Sequence, residues 1–303
     1  MQKRPGATGD IRKWQWTPRN LAMAVTESIV SHAQGRETAF RVGRFLYSRG
    51  RYDFPNDTSA NGEMRLIELL APSLAGGDVL VDIGANNGLW TQGALARAPG
   101  VVVHAFEPVP STARQFEANL RDEIATGSVV LHGEAVSADV GSITMNVFPA
   151  EVDKSGINSL LQQAGPQTLP VPVPVVTIDE IVNRLASTRV RLVKIDTEGN
   201  DFSVLLGARD TLRSGSVDLI QFEYNSRWID AKRYLRDVFD LTADLKYGVG
   251  KVLPWGVEVY DAWHPEMERY FESNYLLVRD GFDRRIGAAR TVFGPTNAPR
   301  PGR

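Results

Sequence analysis

The sequence predicts an α/β fold: a mostly parallel central sheet with helices on both faces, preceded by a helical extension. Three observations carry this. From Asp78 onward, short apolar runs alternate with helical stretches, the pattern of β–α–β units. The first run, "LVDIGANNG", stops on Asp82 and enters a loop bounded by Gly84 and Gly88. Ahead of it, residues 1–75 show helical patterns and loops but no strand.

The elements follow in order. Residues 1–17 read as a loose arm, and Pro18 to about Arg49 as two helices broken at Gly35. "RYDFPNDTSANG" is a polar loop and "EMRLIELLAPSL" a further helix. "DVLVDIG", "VVVHAFEP" and "SVVLHGEAV" are three strands, separated by the helices "WTQGALARA" and "PSTARQFEANLRDE". Pro110 stands near the start of the second helix, with Ser111 as a candidate cap. "SITMNVFP" alternates and suggests an edge hairpin. Residues 151–174, "EVDKSGINSLLQQAGPQTLPVPVP", read as an irregular loop kept extended by its prolines. A loop of this length inside a compact domain suggests a lid. "TIDEIVNRLA" and "NDFSVLLGARDTLRSG" are helices around the strand "VRLVKIDTEG"; "VDLIQFEYN" is a fifth strand and "NYLLVRD" a terminal one. The boundaries are 1–75 for the helical extension, 76–283 for the α/β domain and 284–303 for a Pro/Gly-rich tail read as disordered.

Composition bounds the function. The 303 residues are 43% hydrophobic and 23% charged, ordinary values for a chain with a sizeable core. With 34 basic and 36 acidic residues the net charge is −2, so a general polyanion-binding surface, and with it a nucleic-acid partner, is not expected. The lack of cysteine excludes disulfides, thiolate zinc sites and a cysteine nucleophile. The N-terminus "MQKRPGATGDIRKWQW" is basic without an apolar run behind it, unlike a secretory signal. No stretch approaches the roughly 20 apolar residues of a membrane span. A soluble, cytoplasmic protein is the expectation.

In open α/β sheets ligands bind at the carboxyl ends of the strands. The loop after the first strand lies there. Its Gly-x-x-x-Gly spacing differs from the dinucleotide fingerprint, and it lacks the Lys-Ser/Thr of a P-loop. Glu107 ends the second strand, where an acid can accept hydrogen bonds from both hydroxyls of a ribose. The plain alternative is a tight turn and a strand cap.

"VDIGANNGLWT", "AFEPVP", "VKIDTEGNDFSVLLGA" and "IQFEYN" resemble the FkbM family of S-adenosylmethionine-dependent methyltransferases, from roughly Glu63 to Asp280. The Lys-Ile-Asp-x-Glu-Gly block is the most specific part. The resemblance implies a Rossmann-like class I methyltransferase fold with S-adenosyl-L-methionine as cofactor. It implies that Asp82 orients the methionine ammonium, that Gly84, Asn86 and Gly88 form the loop that leaves room for the cofactor, and that Glu107, followed by Pro108, grips the ribose. Glu134 is a candidate for the adenine amino group, against a strand-capping role.

Asp196 and Glu198 are the candidates for activating an acceptor hydroxyl, with His264 as a base reaching in from a C-terminal loop. Asn200 and Asp201 read as a helix cap. Asp196, Glu223 and Asn225 stand at neighbouring strand ends and form a tentative Mg²⁺ ligand set. A metal-free acceptor pocket is the competing arrangement. His104 and His132 read as packed residues. Trp228, Trp255 and Trp263 are candidates to stack on a sugar face, against a role in the core. The leading expectation is O-methylation of a small molecule or glycan, a sugar or polyketide-type acceptor. The alternatives are a methyltransferase of protein or nucleic acid, and a catalytically silent S-adenosylmethionine-binding module. The absent Asn/Asp-Pro-Pro-Tyr/Phe block counts against exocyclic amine methylation.

Overall fold

The computed structural model describes residues 18–53, 60–148, 168–185 and 188–302. The arm 1–17 and residues 151–167 of the loop read as a lid lie outside them. The chain divides into two compact units, residues 1–51 and 52–303.

In the first unit two helices, Pro18–Val30 and Ala33–Arg51, meet at Ser31 and His32. The break precedes Gly35, which lies inside the second helix. Ser31 turns its hydroxyl onto the Ser28 carbonyl at 2.7 Å. Such local side-chain bonds compete with helix continuation.

Among the described residues the second unit carries thirteen strands. They are β1 Val79–Ile83, β2 Val102–Phe106, β3 Val129–His132, β4 Ala135–Val136, β5 Gly141–Val147, β6 Leu169–Val176, β7 Val190–Ile195 and β8 Leu219–Tyr224, then β9 Tyr247–Leu253, β10 Gly256–Tyr260, β11 Ser273–Arg279, β12 Ala289–Phe293 and β13 Pro299–Pro301. Ten form one sheet in the order β13-β12-β10-β9-β11-β8-β7-β1-β2-β3. The run β8-β7-β1-β2-β3 is parallel throughout. Every residue of β1, β7 and β8 is buried, which explains why these strands read as near-continuous apolar runs rather than alternating ones.

The other half of the sheet is largely antiparallel. β11 pairs antiparallel with both β8 and β9, and β9 with β10. The sequence pattern does not reveal β9: "YGVGKVL" carries two glycines and a lysine. Gly250 is there because a Cβ would lie 2.6 Å from the Glu258 carbonyl oxygen of β10. The tail read as disordered carries β12 and β13, which extend the sheet beyond β10.

The expected irregular loop also contains a strand. β6, "LPVPVPVV", pairs antiparallel with all of β5, and its end pairs parallel with β4 in a separate three-stranded sheet. Pro170, Pro172 and Pro174 alternate with valines, so their missing N–H groups all face one side. β4 covers that side only at Val175 and Val176, past the last proline. The prolines therefore sit along an open edge, where a strand tolerates them.

The helix Glu63–Leu70, placed by its sequence pattern in the extension, belongs to the larger unit. Leu66, Ile67 and Leu70 are fully buried in one cluster with Trp90 and Ala94. Gly62 at its head has φ 93°, and a Cβ there would meet the Leu253 carbonyl oxygen at 2.4 Å. That contact sets the start of the helix against the end of β9.

At the opposite end of the sheet, Arg191 is fully buried. It donates to Asp218 at 2.5 Å, to Asp78 at 2.7 Å and to the Ser73 carbonyl at 2.7 Å. It pins the chain entering β1 to β7 and β8. Breaking a buried pair from one side leaves the other charge without compensation. Arg191→Met should therefore lower the unfolding free energy in urea by about 3–5 kcal/mol. A loss below about 1 kcal/mol would mean the cluster contributes little net stability.

Candidate active site

The chain leaves β1 through Gly84, at φ 78°. A Cβ there would lie 1.9 Å from the Asp196 carbonyl oxygen, so only glycine fits. The N–H groups of Gly84 and Ala85 donate to the Phe106 carbonyl at 3.0 and 3.1 Å, and that of Asp196 to the Ile83 carbonyl at 3.0 Å. The loop is thus stitched to β2 on one side and to β7 on the other. Gly88, at φ 88°, faces the helix Pro110–Asn119: a Cβ would meet Leu120 at 2.4 Å and Phe116 at 3.1 Å. The space that Gly88 preserves is filled by that helix.

Glu107 ends β2 almost fully buried. Asn86, held at φ 49°, donates its N–H to one carboxyl oxygen at 3.0 Å, and Val109 donates to the other at 2.9 Å. Pro108 lies between, in the turn that brings Val109 round. Burial pushes the Glu107 carboxyl up to about 7, against the pull of the two backbone bonds.

Asp82 is fully buried. Its Oδ2 accepts the Thr91 hydroxyl at 2.7 Å; its Oδ1 lies 3.6 Å from Lys194 Nζ and accepts no hydrogen bond among the described residues. Burial raises its carboxyl, opposed by Lys194 and Thr91. Lys194 also donates to Asp196 at 3.2 Å. Burial alone would lower Lys194, but Asp196, Asp82 and Glu63 together hold it above its ordinary value.

Asp82, Lys194 and Gln221 occupy one register row across β1, β7 and β8. Gln221 donates to Glu63 at 3.2 Å and to Asn274 at 3.1 Å. The sequence patterns miss Glu63 and Gln221. Gln221 has a legible signal, a polar residue on the face of Glu223 in an apolar strand. Glu63 has none, because an acid in the first turn of a helix is ordinary. Burial pushes Glu63 up to about 7, against Lys194.

Asp196 stands at the rim with a side chain 26% exposed. Glu198, at φ 56°, forms an ion pair with Arg227. Asp201 folds its carboxylate back onto the N–H groups of Thr197 and Gly199, and Asn200 donates to the Val136 carbonyl. Both therefore serve the turn.

The tentative metal ligands do not assemble. The Asn225 oxygen accepts the Arg227 N–H at 2.9 Å, so its Nδ2 points at Glu223, 2.5 Å away. Glu223 is pushed well above the ordinary carboxyl value by burial first, then by Asp196, Asp201 and Glu272, with which it also shares a hydrogen bond. An amide N–H is not a ligand for a hard cation, so Asn225 in this orientation supplies none. Among the described residues no three His, Asp or Glu side chains converge as a metal site. The residues do not fit Mg²⁺.

Other candidates stand apart. Both Glu134 oxygens are taken by Arg184, at 3.1 and 2.9 Å. His264 caps a short turn through the Glu266 N–H and lies flat on Phe293 of β12, with β8, β11, β9 and β10 between that strand and β7. His104 and His132 form a pair, 3.0 Å between ring nitrogens. Burial and then His132 push His104 down to about 4. Trp228 is fully buried, and Trp263 donates to Glu268 at 2.8 Å.

The Glu63 carboxyl yields a sign-definite expectation. Its folded value, about 7, is above the ordinary value of 4.5, so the folded state binds the proton more tightly. Its contribution to stability is present below 4.5 and is lost as pH rises through 7. Glu63→Gln, which keeps the bond from Gln221, should therefore gain in stability relative to wild type between pH 5 and pH 8. Urea midpoints read it; a constant difference across that range would contradict the burial account.

A model of the methyltransferase FkbM domain matches residues 82–273. The 31-O-demethyl-FK506 methyltransferase FkbM of Streptomyces tacrolimicus is 28% identical over 159 residues, 44% of this chain and 60% of that protein. The hexuronic acid methyltransferase AglP of Haloferax volcanii is 26% identical over 160 residues, 53% of this chain and 62% of that protein. The chain thus spans about three fifths of the length of these relatives. Among solved structures, a precorrin-6y C5,15-methyltransferase from Geobacter metallireducens superimposes on 72% of this chain and 87% of its own at 14% identity, with a TM-score of 0.38. The family match extends from the buried acid of β1, through the glycine loop, to the first residue of β11, and this chain belongs to the FkbM methyltransferase family.

Proposed function

We propose that the protein transfers a methyl group from S-adenosylmethionine to a hydroxyl of a small molecule or glycan, a sugar or polyketide-type acceptor. One observation carries the reading. Two buried carboxyls, Asp82 and Glu107, flank the Gly84 loop on adjacent parallel strands, and both keep acceptor capacity. Asp82 Oδ1 faces Lys194 at 3.6 Å but accepts no hydrogen bond among the described residues, and each Glu107 oxygen accepts one N–H from a residue near the loop. A carboxyl oxygen has room for two donors, which suits the ammonium of the methionine end and the paired hydroxyls of a ribose. The relatives support both acceptor types, since their names specify an FK506 precursor and a hexuronic acid.

The bound cofactor supplies an electrophilic methyl on a sulfonium. The chain supplies alignment and a proton acceptor. Asp196 serves as the acceptor: it is partly exposed at the rim, and Lys194 holds one of its oxygens. Glu198 is committed to Arg227 and orients the rim beside it. Glu223 is buried and accepts the Asn225 amide N–H, so it stands back from the acceptor.

Hydroxyl donors favour the ionised form of Glu107, whose carboxyl titrates near 7. Below that pH, binding must also release a proton. The affinity for S-adenosylhomocysteine should rise with pH between 5.5 and 8, approaching about tenfold per unit at the acid end. Glu107→Gln should flatten most of this slope, and Glu107→Ala should weaken binding by about 1.5–3 kcal/mol. Calorimetry showing the same slope in wild type and Glu107→Gln would remove Glu107 from the ribose. Asp196→Asn should lower kcat by about 10²–10⁴-fold while the cofactor Kd stays within about twofold; wild-type turnover would assign the proton elsewhere.

A further inference from the structure

We propose that Trp255 and Tyr52 form a platform for a pyranose ring of the acceptor, and that the acceptor is a glycan of at least two linked rings. The inference rests on the methyl-transfer reading above for its choice of rim. Four tryptophans lie among the described residues. Trp90 and Trp228 are buried, and Trp263 is partly covered. Trp255 is 54% exposed. It sits in the two-residue turn between β9 and β10, where Leu253 pairs with Gly256. Tyr52 meets it edge-on, ring centroids 4.1 Å apart and planes at 84°.

The topology places this pair at the catalytic rim. β9 is antiparallel to β11, and β11 to β8, so β9 ends at the same edge of the sheet as β8, β7 and β1. Gly62 packs on the Leu253 carbonyl and anchors the turn from below. Pro254 restricts the backbone ahead of Trp255. The indole is therefore a large apolar surface held at the rim.

Its surroundings indicate the ligand. Polar groups adjoin the pair along the chain: Asp53, next to Tyr52, is ion-paired with Lys251 of β9 and accepts the Ser273 hydroxyl at 3.0 Å. An exposed aromatic face beside polar groups suits a ring with one apolar C–H face and a hydroxyl edge. A wide apolar acceptor would call for a contiguous apolar patch.

The spacing sets the acceptor's size. Three strand steps separate β9 from β7, roughly 14 Å at about 4.8 Å a step. A pyranose stacked on Trp255 is then not the ring whose hydroxyl meets Asp196. The ring on the platform is a neighbour of the methylated one, and the partly exposed Glu272, directly before β11, lies on the rim between them.

The test is saturation-transfer NMR with four probes: cellobiose, cellobiouronic acid, methyl β-glucoside and methyl β-glucuronide. The protein is full length, with and without S-adenosylhomocysteine. At least one disaccharide should bind wild type, and Trp255→Ala should weaken it about tenfold, with Trp255→Tyr retaining most of the affinity. The matching monosaccharide should change by less than about twofold. Unchanged S-adenosylhomocysteine binding in calorimetry shows that the variants are folded. Disaccharide binding that ignores Trp255, an equal loss for the monosaccharide, or no binding by any of the four would overturn the proposal. If wild type binds sugars through Trp255 but fails to bind S-adenosylhomocysteine, the methyl-transfer reading falls and the platform stands.

Discussion

The Lys194 ammonium is buried between carboxyl groups of two neighbouring strands, 3.6 Å from Asp82 and 3.2 Å from Asp196. A buried charge is costly unless compensated, and two acids at this separation would repel without the cation between them. The glycine loop follows Asp82 directly, and the rim after β7 begins at Asp196. One ammonium therefore holds both halves of the site in register. Glu63 adds a third carboxyl to the same cation from the helix that covers this face, and Gln221 ties that carboxyl to the sheet. The geometry of the site depends on this balance more than on any single hydrogen bond.

Much of this was legible from residue order because the parallel half of the sheet imposes local rules. β1, β7 and β8 are buried on both faces and read as apolar runs ending in acids. Gly84 was legible because its turn excludes a side chain, and Glu107 because it ends the next strand over. The antiparallel half was not legible. β9 owes its place to pairing with β11 and β10, contacts distant in sequence, and its glycines are chosen by neighbours rather than by strand propensity.

The misreadings share a cause. Prolines in β6 argued for a loop, but their spacing of two confines the lost donors to an open edge. His264 was attractive as a base by residue type alone, and its ring is spent on Phe293 and a turn. The metal set failed at the level of single atoms. Asn225 turns its oxygen to the backbone, and Glu223 gains a carboxyl neighbour, Glu272, from the loop before β11. Residue identity and strand spacing were read correctly there; the direction of an amide and the protonation of a carboxyl depend on the third dimension.

The contact between Gly84 and the Asp196 carbonyl has a mechanical consequence. A turn that seats against a backbone oxygen, with no side chain to cushion it, has no slack. Shifting the loop by a few tenths of an ångström shifts the start of the Thr197–Asn200 turn, and with it Glu198 and the segment that Asp201 braces. The glycine loop and the turn after Asp196 then behave as a single stiff part. A change that reshapes one for a new ligand must be matched in the other, so new acceptors are accommodated more readily by side chains further along the rim than by altering this joint.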